Sequence, residues 1–237
     1  MSDAAALFPV IHRDEWLIVV NKPAGVPVEN DPSGDPSLVD GVRYQLSAEQ
    51  AHCGAPLFLG IVHRIDRPVG GVVVFARTEG VLRDLHRIFR EREVEKRYWV
   101  VVAGEPPRES DRLEGYLSQS RDANKAYVHA EPARGRKASR LDYRVVGHGE
   151  RYTLLEVALH TGRHHQIRAQ LAAIGCPIKG DLKYGARRSN PGGGISLFAR
   201  SLAFTHPVTA APQQFLADPP TDPLWDLFPR SNLQISD

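Results

Sequence analysis

Two stretches of the chain carry side chains that a folded protein keeps only for a reason. The first is His63-Arg64-Ile65-Asp66-Arg67, followed at once by the apolar run Gly70-Gly71-Val72-Val73-Val74-Phe75; the second is Thr161-Gly162-Arg163-His164-His165-Gln166-Ile167-Arg168. A carboxylate that ends a polar loop at the mouth of a buried strand needs a cationic partner or a chemical task, because burying an unpaired charge is costly. Asp66 is such a carboxylate. Tyr98 follows Lys96 at the start of a β-patterned run, so its phenol is a second candidate. Arg168 lies beside the stripe formed by Ile167, Leu171 and Ile174, from which a guanidinium can reach inward and is expected to pair with Asp66. Nothing here needs a metal. His160, His164 and His165 lack a companion acid in a ligand pattern such as H-E-x-x-H, so no metal site is expected.

The elements that must hold these groups are mostly strands. Trp16 to Val20 reads as a strand stopped by Asn21-Lys22-Pro23-Ala24-Gly25, and Glu29 to Ser37 as a loop rich in Asp, Pro, Ser and Gly. After the strand ending near Ala76, Val81, Leu82, Leu85, Ile88 and Phe89 form one stripe of a helix from about Glu79 to Arg92. Lys96 to Ala103 is β-patterned; Ser139 to Val146 and Tyr152 to His160 read as a hairpin. A second helix is expected from about His164 to Ile174, stopped by Gly175 and Pro177. Strands over Leu197 to Thr205 and Gln213 to Leu216 and a short helix over Asp222 to Phe228 complete the pattern. So many strands with so few helices predict an α+β fold, a mostly antiparallel mixed sheet with few flanking helices.

Composition narrows the classes. With 237 residues, 42% of them hydrophobic and 24% charged, the chain has the make-up of an ordinary globular protein. No apolar run is long enough to span a bilayer, and Met1 to Leu7 shows no secretory signal. Cys53 and Cys176 make neither a disulfide framework nor a zinc motif, so a reducing cytoplasm is expected. The absence of G-x-x-x-x-G-K-[ST] and of G-x-G-x-x-G argues against a nucleotide cofactor, and no serine lies in a G-x-S-x-G context. Net charge is only +2, but Arg163, Arg168, Lys179, Lys183, Arg187 and Arg188 face the single acid Asp181 within one segment. Arg134, Arg136, Lys137 and Arg140 form a second basic run.

In these motifs and their order the chain resembles the RluA family of RNA pseudouridine synthases, in its stand-alone form without an S4 domain. The resemblance rests on Asn21-Lys22-Pro23-Ala24-Gly25, His63-Arg64-Ile65-Asp66-Arg67, Glu95-Lys96-Arg97-Tyr98, the segment Thr161 to Arg168, Gly175 to Gly185, Phe198-Ala199 and His206-Pro207. It departs where Val69-Gly70-Gly71 replaces the family's T-S-G and where His164 replaces a threonine. The resemblance implies one catalytic domain over residues 1–237, monomeric and cofactor-free, that isomerises uridines of structured RNA, rRNA or tRNA. It assigns catalysis to Asp66, Tyr98 and Arg168, with Tyr98 stacking on the base and taking the C5 proton. RNA contacts are expected from His63, Arg64, Arg67, Lys96, Arg163, His165, Gln166, Lys179 and Lys183, and Arg64 is expected to fill the stack vacated by a flipped base. The rival readings are a non-catalytic RNA-binding or ribosome-assembly protein on the same scaffold, and a metal-dependent hydrolase that a chelator would silence.

Overall fold

A computed structural model describes residues 8–49 and 57–228. In chain order the elements are β1 (Val10–Arg13), β2 (Leu17–Lys22), α1 (Leu38–Glu49), β3 (Gly60–Ile61), β4 (Gly70–Ala76), α2 (Glu79–Glu91), β5 (Val94–Ala103), β6 (Ser110–Ser120) and β7 (Lys125–His129). They continue with β8 (Lys137–His148), β9 (Tyr152–Leu159), α3 (Gln166–Ala173), β10 (Leu197–Thr205) and β11 (Pro212–Leu216), with short 3-10 turns at Leu182–Tyr184, Pro191–Gly193 and Trp225–Leu227. The chain forms two compact units, one made of residues up to 95 with 199–218, the other of 96–198 with 219 onward. Cys53 and the segment Met1 to Leu7 lie outside the described residues.

In the first unit the strands follow the order β1-β2-β4-β10, with β3 on β4 and β11 on β10. Strand β2 runs antiparallel to β4, Val19 opposite Val74 and Lys22 opposite Gly71. Every residue of β4 is buried, which is why its sequence is a continuous apolar run and not an alternation. Gly71 has φ +121° and its missing Cβ would fall 2.2 Å from the Ala199 carbonyl oxygen, so no other residue fits there. Helix α1 has no counterpart in the sequence reading. It packs Leu38, Val39, Val42 and Leu46 against Phe8, Ile18, Val20, Val73 and Phe75. Ser37 caps it by bonding both the Asp40 amide, at 3.3 Å, and the Asp40 carboxylate, at 2.8 Å. Its interior Gly41, which weakens the helical signal, is required because a Cβ would meet the Phe8 ring at 2.2 Å. Helix α2 spans the predicted range, capped by Thr78 and closed by Arg92 in the left-handed conformation.

In the second unit the strands follow the order β5-β9-β8-β6-β7, each pair antiparallel. Tyr98 lies opposite Val157 and Trp99 opposite Glu156. Helix α3 packs Ala169 against Leu117 and Ala126 of β6 and β7, with Tyr184 completing the cluster. It begins at Gln166, later than the sequence suggests, because His165 sits in the left-handed region with φ 51° and cannot belong to a right-handed helix. Strands β6 and β7 were not read from the sequence: β6 alternates exposed and half-buried positions with few apolar residues. No helix among the described residues is long and apolar enough to cross a membrane.

Candidate active-site residues

In the first unit, Asp66 is half-buried in the loop between β3 and β4, where its carbonyl accepts from Val69 N at 2.9 Å. Behind it stands Lys22, fully buried, whose ammonium donates to the carbonyl oxygens of Val26 at 2.7 Å, Pro23 at 3.0 Å and Arg67 at 3.1 Å. Burial pulls the Lys22 pKa down to about 7; the Asp66 carboxylate opposes that fall and Arg67 adds to it. The three carbonyls match the three donors of an ammonium, so the geometry favours the charged form. Lys22 therefore ties the Pro23–Val26 turn to the loop that carries Asp66. Its place in Asn21-Lys22-Pro23-Ala24-Gly25 gives no sign of this task in the sequence.

The neighbours of Asp66 are held as firmly. His63 does not point outward: its ring stacks on Phe89 at 5.0 Å and its Nε2 accepts from Val74 N at 3.2 Å. Arg67 donates Nε to Gly25 O at 2.8 Å and Nη1 to Ser33 Oγ at 2.9 Å, and pairs with Asp35. Arg64 is exposed and meets the Glu29 carboxylate.

In the second unit, Arg168 is buried, 6% exposed, and forked onto Asp181, itself 1% exposed: Nε to Oδ2 at 2.6 Å and Nη2 to Oδ1 at 2.9 Å. The guanidinium also lies 5.1 Å from the centre of the Tyr184 ring. The sequence expectation placed one acid, Asp66, against Arg168 and passed over Asp181, although a lone acid amid six cations was the available signal. Tyr184 is a hub. Its hydroxyl accepts from Ala126 N at 2.7 Å and bonds His165 Nδ1 at 3.0 Å. His165 stacks on His164, ring centres 3.8 Å apart. Its burial first, then the positive charges of Arg168, His164 and Lys183, push its pKa down to about 3, so the imidazole is neutral at physiological pH.

The other expected contacts in this unit are partly committed to the fold. Gln166 is buried; its Oε1 accepts from Thr161 Oγ1 at 2.7 Å and Arg163 N at 3.1 Å, and its Nε2 donates to Arg140 O at 3.1 Å. Arg163 Nε donates to Ala138 O at 3.0 Å, Lys179 to Asn190 Oδ1 at 2.7 Å, and Lys183 to Asn124 O at 2.9 Å. Lys96 lies with its ammonium 3.7 Å from where a Cβ on Gly162 would stand. Tyr98 is 9% exposed on β5.

These motifs were compared with known proteins. The profile of the family described as RNA pseudouridylate synthase matches residues 16–173, a span that includes Asp66, Tyr98 and Arg168. The chain belongs to this family. It is 35% identical over 213 residues to an uncharacterized RNA pseudouridine synthase of Aquifex aeolicus, covering 84% of this chain and 65% of the relative. It is 30% identical over 222 residues to ribosomal large subunit pseudouridine synthase D of Zymomonas mobilis, covering 90% and 69%. The chain thus spans about two thirds of the length of these curated relatives. Among solved structures it resembles human RNA pseudouridylate synthase domain containing 4, with a TM-score of 0.76 at 22% identity over 92% of this chain and 91% of that one. That likeness bears out the expected fold, a mixed sheet with few helices.

Proposed function

We propose that this chain is an RNA pseudouridine synthase that isomerises uridines in structured RNA without a cofactor. The observation that supports the reading is the family match across the span from β2 into α3, within which Asp66 lies. In this reading the two compact units act as one catalytic domain, a monomer working in the cytoplasm. The carboxylate of Asp66 acts on the ribose side as nucleophile or base while the bond between C1′ and N1 breaks. The uracil turns over, C5 bonds to C1′ as Asp66 gives back the bond or proton it took, the proton on C5 leaves by way of the Tyr98 oxygen and N1 takes up a proton, so that the product is an isomer of the substrate. Arg168 supports Asp66 in that role, and Asp181 and Tyr184 keep Arg168 in place.

Lys22 supports the role of Asp66, since a buried ammonium bonded to the neighbouring backbone fixes the loop that carries it. Arg64, Arg67, Lys96, Arg163, Lys179 and Lys183 are the candidate phosphate or base contacts, with His63, His165 and Gln166 shaping the backbone around them. The RNA is proposed to be ribosomal or transfer RNA; the name of the Zymomonas relative supports the former.

The test replaces one atom group. Asp66→Asn keeps size but not charge, so it should retain RNA binding in a gel-shift assay while release of tritium from C5-labelled uridine in total rRNA and tRNA falls to background. Release at near the wild-type rate would remove Asp66 from the chemistry. Pseudouridine mapping in cells with and without the gene then identifies the uridine.

A further inference from the structure

The two arginines that flank Asp66 are both engaged by carboxylates from one loop, residues 29–35, but they are engaged differently. Arg67 is anchored on four sides: Gly25 O at 2.8 Å, Ser33 Oγ at 2.9 Å, the Asp35 carboxylate, and Asp31 Oδ2 at 3.7 Å. The loop itself is locked by Ser33, whose amide donates to Asp31 Oδ1 at 2.9 Å, and by the turn in which Gly34 N reaches Asp31 O at 3.3 Å. Arg67 and Ser33 both hold the Asp31 and Asp35 carboxylates below the usual range, so the loop keeps its charge at working pH. Arg64 has a looser arrangement. Its side chain is 71% exposed, and the Glu29 carboxylate, 44% exposed, meets its guanidinium.

Resting on the proposed function, which brings RNA to Arg64, we infer that Glu29 stands in for RNA at Arg64 and sets how tightly the chain holds its substrate. A carboxylate, like a phosphate, offers the guanidinium a pair of anionic oxygens, so the two compete for one set of donors. RNA takes Arg64 only by displacing Glu29, whereas Arg67 stays with its loop and keeps the competitor in reach. The exposed position of the pair makes the exchange inexpensive, since an exposed ion pair is worth little in water. Each RNA contact made by Arg64 is thereby weakened by the pair it replaces.

The experiment measures dissociation constants for a 20-nucleotide RNA hairpin with uridines in its loop, from 50 to 300 mM KCl, using the full chain. Glu29→Gln should tighten binding about two- to fivefold near 100 mM salt, the worth of one exposed pair. It should also steepen the salt dependence, because in wild type added salt weakens the competing Glu29 pair along with the RNA contact. In an Arg64→Ala background Glu29→Gln should have no effect, and Glu105→Gln, an exposed acid elsewhere, should produce no comparable tightening. Unchanged or weaker binding by Glu29→Gln, or equal tightening by Glu105→Gln or in the Arg64→Ala background, overturns the inference. Should Arg64→Ala alone bind and react as wild type, the assignment of Arg64 to RNA fails and takes the inference with it. A wild-type chain that binds no RNA refutes the proposed function itself.

Discussion

Replacing Asp181 by Asn tests whether the buried fork on Arg168 holds the second unit together. The substitution keeps the shape of the side chain and removes its charge, leaving a guanidinium that is 6% exposed without the Asp181 carboxylate. Breaking a buried pair from one side costs about 3–5 kcal/mol, because the remaining charge stays desolvated. For a chain of this size about 2–4 °C is lost per kcal/mol, so the melting temperature should fall by about 6–20 °C. Arg168→Met removes the other partner and should cost a similar amount. The pair Asp181→Leu with Arg168→Met should recover much of the loss, since apolar groups can replace a buried ion pair with little penalty. Thermal unfolding followed by circular dichroism reads all three. An Asp181→Asn protein that melts within 2 °C of wild type, a shift of less than about 1 kcal/mol, would refute the reasoning that the fork carries buried charge at a cost.

Three further outcomes follow from the same geometry. Tyr98→Phe keeps the ring but loses the hydroxyl, so RNA binding should survive while single-turnover rates fall about a hundredfold or more; unchanged rates would return Tyr98 to the core. His165, neutral when folded with a pKa of about 3, binds a proton in the unfolded chain below pH 6.5, so folding loses stability as pH falls from 6.5 toward 3. Between pH 7 and 5 urea unfolding should show wild type losing about 2 kcal/mol more than His165→Asn, whose side chain tolerates the left-handed backbone; parallel pH profiles would contradict this. Burial pulls the Lys22 pKa toward about 7, but its three carbonyl acceptors should hold the proton, so the stability of wild type relative to Lys22→Met should stay level from pH 7 to 9. A gain of about 2 kcal/mol over that range would mean that burial outweighs the three hydrogen bonds.

What the sequence displays and what it hides have physical causes. Strand β4 is legible because burial of every residue leaves an uninterrupted apolar run, and α2 because its stripe and its Thr78 cap coincide. Helix α1 is hidden because Gly41, demanded by the Phe8 ring, breaks the pattern that Leu38, Val42 and Leu46 would otherwise show. Asp66, Tyr98 and Arg168 stand out as chemistry because each sets a polar group beside apolar ones. Asp181 and Lys22 escape because their partners leave no mark in the sequence: a guanidinium thirteen residues away in α3 for one, and for the other the backbone carbonyl oxygens of Pro23, Val26 and Arg67, which any residue could supply. Side chains that hold a site in place carry no periodic signature; only the fold reveals whom they face.

The hydroxyl of Tyr184 has one more consequence. Strand β7 is the last in the order of its unit, five residues long, and a terminal strand offers unpaired amides to any other chain that can add to it. The Ala126 amide is already bonded to Tyr184, and Lys125 at the start of the strand holds its ammonium 5.0 Å from the Tyr184 ring. The same phenol that steadies Arg168 thus also blocks an edge. Loss of the hydroxyl alone would bare a backbone donor and open the protein to association strand against strand, while loss of the ring would loosen the arginine as well, so one side chain guards both an edge and a buried charge.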